Sequence, residues 1–393
     1  MKIYEIGTGY TPIPAKMGAA TEIVVEGLVK AYQKQNIPVA LIDIEANDRL
    51  SNNMPIIEVS VPKCLRSTDV KLGIMHKLKR VIYSISLAST LRRILKKSEE
   101  KVILHFHNQY NLFFFYKLVP KYLLNKACIA YTNHSYIWHD TWEKIEKTIR
   151  KRYFQEVYCI EHTDKVFVLN EQTRENLVNH LRVDPSRIHL IGNGVNVDMY
   201  SPLSSEKKSL NKQVWNLCGK KVFIQVGSVC DRKGQLTSLR LLTKLMREDE
   251  NLVFCYAGGV IDPQYQSEIE KYVAEKGLEN QVRYIGELEP GEKLNSFYNL
   301  AEAMVFPSKA EGFSLVIIEA MAAGVPVLIN RNLQFELAER CCQYDDDGMF
   351  DDLVRNYILN TKNRAVLSNN VRQMIVNAYS WEKIARDYLA DLE

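Results

Sequence analysis

Nowhere in these 393 residues do eighteen apolar residues stand in a row, so no segment reads as a membrane-spanning helix. Met1-Lys2-Ile3-Tyr4-Glu5 passes straight into a strand-like run, and no apolar leader is expected. Eight cysteines include no Cys-x-x-Cys pair, which argues against a zinc ribbon or a redox motif. Several sit inside apolar runs, as Cys255 does in Leu252-Val253-Phe254-Cys255-Tyr256-Ala257, and adjacent Cys341 and Cys342 do not readily bridge each other. Free thiols in a reducing cytoplasm are the expectation. Large charge of one sign is also missing: 51 Lys and Arg face 47 Asp and Glu. No recognised nucleic-acid module accompanies that small excess, so no nucleic-acid partner is expected.

What is present is an ordinary folded composition, 46% hydrophobic and 25% charged, over a length that calls for two domains. From residue 1 to about 190, the runs Ile3 to Ile6, Val39 to Ile44, Val102 to Phe106, Ala127 to Tyr131 and Lys165 to Leu169 alternate with helical patterns. Lys221 to Val226, Leu252 to Ala257, Val282 to Ile285, Ala303 to Phe306 and Pro326 to Ile329 repeat the plan. The alternation predicts two α/β domains with doubly wound parallel sheets. Ser201 to Lys220 is polar and without clear apolar period, and reads as the linker. The expected domains are 1–200 and 201–379.

The most informative stretch is Pro307 to Val327. A short strand is stopped by Pro307 and Ser308, and a helix is expected from near Ser314 to Gly324. Gly312 lets the loop backbone approach a ligand, while the N–H groups of Phe313, Ser314 and Leu315 form an anion site. Glu311 on the loop and Glu319 in the helix flank that site as hydroxyl acceptors. A phosphate with hydroxyl-rich groups on both sides describes a nucleotide sugar. Either glutamate alone would read as a cap or a solvated surface residue; the pair, eight apart beside Gly312, is more specific.

Charge is unevenly spread. Residues 1–200 carry 28 Lys and Arg against 20 Asp and Glu, and Lys63 to Lys101 holds eleven of those cations against three acids. Within it Ile74, Leu78, Val81, Ile82, Ile85, Ala88, Leu91 and Leu95 recur at helical spacing. A basic amphipathic helix on an anionic membrane surface is one reading, and a stripe packed on the domain core is the other.

Four further segments end strands. Ile6-Gly7-Thr8-Gly9-Tyr10-Thr11-Pro12 has proline where a dinucleotide fingerprint wants its third glycine, which weakens an NAD reading that Asp43 would otherwise support. Tyr131-Thr132-Asn133-His134 places a histidine at a strand end. His105 and His107 share a strand face, but with no third ligand evident they read as packing rather than metal ligands. Val226-Gly227-Ser228-Val229-Cys230-Asp231-Arg232-Lys233-Gly234 brings cations to a loop. Asp345 to Asp347 reads as a loop.

The Glu311-x7-Glu319 segment, with Ala-Met-Ala-Ala-Gly-Val-Pro-Val behind it, resembles the signature of retaining glycosyltransferases of the GT-B fold, glycosyltransferase family 4 in particular. The likeness extends along nearly the whole chain through Thr132-Asn133-His134, Asn193-Gly194-Val195, Lys233-Gly234 and Ser380-Trp381. It implies two Rossmann-like domains facing a central cleft, with the last residues, from about 380, crossing back to the first.

The resemblance also implies roles. Glu319 would hold the ribose, Glu311 the donor sugar, and Lys233 with the Phe313 to Leu315 amides the diphosphate. His134 would serve the reaction centre, and backbone near Gly227 and Gly286 would complete the donor site. Two departures stand out: Ala19 follows Gly18 where the family has paired glycines, and Ser228 occupies the place of an arginine, for which Arg232 is the substitute. The activity implied is metal-independent, cofactor-free and retaining. A sugar would pass from a nucleoside diphosphate, UDP by family habit, to a sugar or lipid-linked acceptor in surface polysaccharide or glycolipid assembly. The enzyme would be cytoplasmic or peripheral at the inner face of the membrane. The alternatives are a non-catalytic nucleotide-sugar-binding subunit and, less favoured, an NAD-linked oxidoreductase.

Overall fold

The computed structural model describes residues 1–14, 20–66, 74–333 and 335–392, with the side chains of 74–76 also outside it. Gly18 and Ala19 therefore lie outside the described residues. The chain forms two compact units, 1–194 with 381–393 and 195–380. They divide at Gly194 and Ser380 rather than at residues 200 and 379.

In the first unit the strands are β1 (Ile3–Ile6), β2 (Val39–Ile44), β3 (Ile56–Val59), β4 (Val102–Phe106), β5 (Ala127–Thr132), β6 (Lys165–Val168) and β7 (Ile188–Leu190). They form one parallel sheet in the order β3-β2-β1-β4-β5-β6-β7. β1, β2 and β4 are buried along their whole length, as strands covered by helices on both faces must be. The order reverses between β1 and β4, the position where open α/β sheets gather ligands beyond the strands' carboxyl ends. The helix Trp381–Leu392 belongs to this unit and packs on the helix Ala20–Lys34, with the Trp381 ring seated against Gly27 and Gly194.

The second unit carries β8 (Lys221–Val226), β9 (Leu252–Ala257), β10 (Val282–Gly286), β11 (Ala303–Val305), β12 (Val327–Asn330) and β13 (Cys342–Tyr344). Their order is β10-β9-β8-β11-β12-β13, again all parallel. Its reversal lies between β8 and β11. The loops that leave those two strands carry Lys233 and Glu311.

Several expectations are corrected. β3, β7 and β13 were not expected; each is a short, only partly buried strand at a sheet edge, without the fully buried apolar run that marks an interior strand as short as β11. The linker is not a linker. Ser204 caps a helix, Ser205–Val214, whose buried Asn211 donates to the Ser296 carbonyl at 2.7 Å, so that polar side chains do the docking and the apolar period is faint. Asp346 is a helix cap that accepts from Met349 N at 2.8 Å, and Asp347 opens the helix Asp347–Leu353 instead of lying in a loop. All eight cysteines are free, with Cys64 and Cys218 exposed.

The helix Ile74–Lys97 splits the expected apolar stripe. Ala88, Leu91 and Leu95 join Tyr83 and Leu87 in the core, whereas Leu78, Val81 and Ile85 are 46%, 38% and 47% exposed. No helix among the described residues is long and apolar enough to cross a membrane.

Candidate functional site

In the second unit, the backbone turns sharply where β8 ends. Gly234 adopts φ +74° and opens the helix Gln235–Glu248; a Cβ there would press on the Pro307 carbonyl at 2.8 Å. That close approach brings the loop after β8 against the loop after β11. Lys309 N donates to the Arg232 carbonyl at 2.9 Å, and the Arg232 guanidinium donates to the Ala310 carbonyl at 3.0 Å.

Three donors then meet on one carboxylate. Glu311 Oε1 accepts from Lys233 Nζ at 2.6 Å, Ser308 Oγ at 2.6 Å and Arg232 Nη1 at 3.2 Å. Glu311 and Lys233 are nearly buried, whereas Arg232 is about half exposed. Burial pulls the Lys233 ammonium below its ordinary pKa, and the Glu311 carboxylate opposes that pull. Arg232 thus reaches the group that Lys233 reaches. Ser228 sits earlier in the loop, its carbonyl held by Gln235 Nε2 at 3.0 Å. Gly227 N donates to the Ala257 carbonyl, and the Gly286 carbonyl accepts from Gly258 N, so both glycines lie where strands end.

Four residues past Pro307 the chain reaches Glu311 and the buried Gly312, and the helix Leu315–Ala322 starts three residues further on. Ser314 is its N-cap residue and lends no side-chain bond; its carbonyl accepts from Ile317 N at 3.2 Å, and the Leu315 amide ahead of that bond is left for an outside acceptor. The Phe313 ring packs on Tyr379. Glu319 lies on the buried face of this helix, where Tyr298 Oη donates to its Oε2 at 2.9 Å. Burial pushes its carboxyl up to about 7, with the hydroxyls of Tyr298 and Tyr200 pulling partly back. The aromatic partners were not anticipated; a tyrosine facing the second glutamate from the neighbouring helix leaves no pattern along the chain.

In the first unit, His134 follows β5 by two residues. Its loop is held by the buried Glu156, which accepts from Tyr131 Oη and Ser135 Oγ at 2.7 Å each and from Trp138 Nε1 at 3.1 Å. The sequence offers no third group beside His105 and His107; the structure does. A third group, Glu5 of β1, stands opposite His105 in register and touches both rings: Oε1 lies 2.9 Å from His105 Nδ1 and Oε2 lies 2.8 Å from His107 Nε2. His107 Nδ1 lies 3.1 Å from His134 Nε2. The available signal was a carboxylate inside a strand otherwise buried on both faces.

Asp43 is fully buried, accepting from Ile13 N at 2.8 Å and pairing with Arg49 at 2.7 Å. It braces the loop after β1, which removes the acid that a dinucleotide reading would place on a ribose.

Two family models match. The one described as Glycosyltransferase Family 4 matches residues 21–199, and the one described as Glycosyl transferases group 1 matches residues 207–337. The chain is similar to a D-inositol 3-phosphate glycosyltransferase of Corynebacterium glutamicum, 28% identical over 180 residues, or 45% of this chain and 43% of that one. The match thus spans less than half of that relative's length. It is similar also to a UDP-Gal:alpha-D-GlcNAc-diphosphoundecaprenol alpha-1,3-galactosyltransferase of Escherichia coli, 24% identical over 302 residues and 74% of each chain. Among solved structures, Anabaena HepE in complex with UDP and glucose superposes with a TM-score of 0.70 at 14% identity, covering 100% of this chain and 99% of that one. The likeness is one of fold.

Proposed function

The chain is a GT-B glycosyltransferase of the family 4 kind, and from that premise we propose that it transfers a sugar, with retention, from a nucleoside-diphosphate donor to an acceptor hydroxyl. The observation that carries the proposal is the convergence of Lys233, Arg232 and Ser308 on Glu311, just ahead of the open first turn of the helix Leu315–Ala322. A departing diphosphate accumulates negative charge, and fixed cations and oriented amides stabilise it without reorganising.

In this reading the diphosphate takes the Lys233 ammonium, the Arg232 guanidinium and the amides of Phe313 to Leu315. Glu311 then turns to the donor sugar and Glu319 to the ribose hydroxyls. Gly227 and Gly286 lie at strand ends where backbone can meet the nucleotide, and His134 serves the reacting sugar. The bond from the anomeric carbon to the diphosphate oxygen breaks while the bond to the acceptor oxygen forms on the same face. The acceptor proton passes to the leaving phosphate, so no metal or cofactor enters the step. UDP is the favoured nucleotide, since the E. coli relative is named for UDP-Gal and the HepE structure holds UDP.

A lipid-linked acceptor in polysaccharide or glycolipid assembly fits the same relative, whose name includes a diphosphoundecaprenol acceptor. Exposed Leu78, Val81 and Ile85, beside the exposed Lys77, Arg92 and Lys96 on one helix, support attachment at an anionic membrane surface.

Calorimetry with UDP, GDP, ADP and NADH tests the donor site. Micromolar binding of one nucleoside diphosphate, weakened by both Glu319→Ala and Lys233→Ala, is expected; binding of none sinks the assignment. Donor binding without transfer to any acceptor favours the non-catalytic reading that Ser228 motivates.

A further inference from the structure

The hydrogen-bonded chain that runs through the first unit's sheet has a direction. Glu5, His105 and His107 are fully buried, and no lysine or arginine bonds Glu5 among the described residues. The two contacts of 2.8 and 2.9 Å are of hydrogen-bond length. Nitrogen and oxygen ligands of one tetrahedral ion at about 2.0–2.1 Å would stand roughly 3.3 Å apart, so a proton joins each pair here. Burial raises the Glu5 carboxyl, but the two imidazoles outweigh it and hold the group down at about 2, so it is ionised. An ionised carboxylate has no proton to give.

The protons of the neighbouring rings follow. His107 Nε2–H must donate to Glu5 Oε2. Burial, with His105 adding to it, lowers the His107 pKa to about 4. The ring is therefore neutral and its Nδ1 is a bare lone pair. The only proton left for the 3.1 Å contact between His107 Nδ1 and His134 Nε2 belongs to His134. On the far side, His105 Nδ1 donates to Glu5 Oε1, and its Nε2 meets Thr132 Oγ1 at 2.8 Å, which in turn meets Tyr388 Oη at 3.1 Å. A hydroxyl can give or accept, so that branch does not affect His134.

We propose that Glu5 and His107 are positioning residues that hold His134 as the neutral Nε2–H tautomer, with Nδ1 presented as a hydrogen-bond acceptor. The inference rests on the proposed role of His134 at the reacting sugar. There a bare Nδ1 accepts from a sugar or acceptor hydroxyl, and the opposite tautomer presents a proton in its place. His134 is only part-buried, and among the described residues no group bonds its Nδ1.

The test reads the protons directly, without substrate: long-range proton–nitrogen NMR of the full chain with nitrogen-15-labelled histidine rings. In wild type, His107 and His134 are both expected to carry their proton on Nε2; a proton on Nδ1 of either overturns the proposal. In Glu5→Gln the amide offers one acceptor to two imidazoles. One of His105 and His107 then changes tautomer, and His134 changes only when His107 does. If neither ring changes, Glu5 does not set them.

In His107→Phe, which keeps a ring of similar size, His134 is expected to show both tautomers. For the transfer reaction kcat falls about tenfold or more, while KM for the donor stays within about twofold. A His134 that remains wholly Nε2–H, or a kcat unmoved when the tautomers mix, overturns the positioning role. Should the protein transfer no sugar at all, the transferase reading fails while the tautomer results still decide this one. A stoichiometric metal in wild type, lost in Glu5→Gln, overturns it as well.

Discussion

Lys233 Nζ lies 2.6 Å from Glu311 Oε1, so the expected diphosphate cation and the expected sugar carboxylate are paired with each other. Donor binding has to divide that pair, giving the ammonium to phosphate and the carboxylate to hydroxyls. Lys233→Ala is expected to lower kcat/KM by roughly two to three orders of magnitude, the usual cost of one preorganised group at a developing anion. Arg232, more exposed and at 3.2 Å, is expected to cost about tenfold. Steady-state release of nucleoside diphosphate measures both. A larger loss at Arg232 than at Lys233 would exchange their roles.

The pKa of Glu319 gives the site a pH dependence of known sign. Burial raises the carboxyl to about 7, so from its ordinary value up to 7 the folded protein holds a proton that the unfolded chain has released. Stability therefore falls as pH rises through that window. Ribose hydroxyls are best accepted by the ionised form, and its fraction grows about tenfold between pH 6 and 8 for a group of this pKa. Nucleotide affinity by calorimetry is expected to rise by about that factor. Glu319→Gln should lose the rise attributable to this group and the stability slope together, which separates it from titration of the nucleotide's own phosphate.

Legibility in the chain followed from how local each signal was. The strand-loop-helix at Ala303 to Ala322 was readable because its proline, its one glycine and its helix formers are contiguous, and the helix Leu315–Ala322 falls inside the expected span. β3, β7 and β13 were not readable, because a partly exposed edge strand lacks the continuous buried apolar run that made the equally short interior strand β11 legible. The helix Ser205–Val214 was hidden by polar docking residues such as Asn211. Glu5 and His107 illustrate the limit best. They are 102 positions apart, and only the β1 and β4 register makes one the partner of the other.

Gly27 illustrates a packing constraint that the chain does not advertise. It lies inside the helix Ala20–Lys34 with the Trp381 indole directly against it, and a Cβ would overlap that ring. Helix propensity alone favours alanine there by about 1 kcal/mol. Overpacking should win, because the bulky indole is also confined by Gly194. Gly27→Ala is expected to destabilise by about 1–3 kcal/mol, read from urea unfolding as a lower midpoint. A midpoint that rises would mean the C-terminal helix can shift away at little cost.

Leu78, Val81 and Ile85 form a line of exposed aliphatic side chains on the helix whose opposite face fills the core with Leu87, Leu91 and Leu95. Core packing explains the second set and not the first, and the exposed cations Arg92 and Lys96 continue the line toward the helix end. Aliphatic insertion and anionic lipid attraction should therefore act together, so that neither substitution class alone spares binding. Vesicles rich in anionic lipid are expected to sediment the wild type. Leu78→Ser with Ile85→Ser, or Arg92→Glu with Lys96→Glu, should each cut the bound fraction about tenfold or more, with nucleotide calorimetry confirming that the variants remain folded. High salt should release the first pair's residual binding and leave the second pair's little changed. If neutral vesicles bind the protein as well as anionic ones do, the cations have no part in docking, and the line is a purely aliphatic anchor.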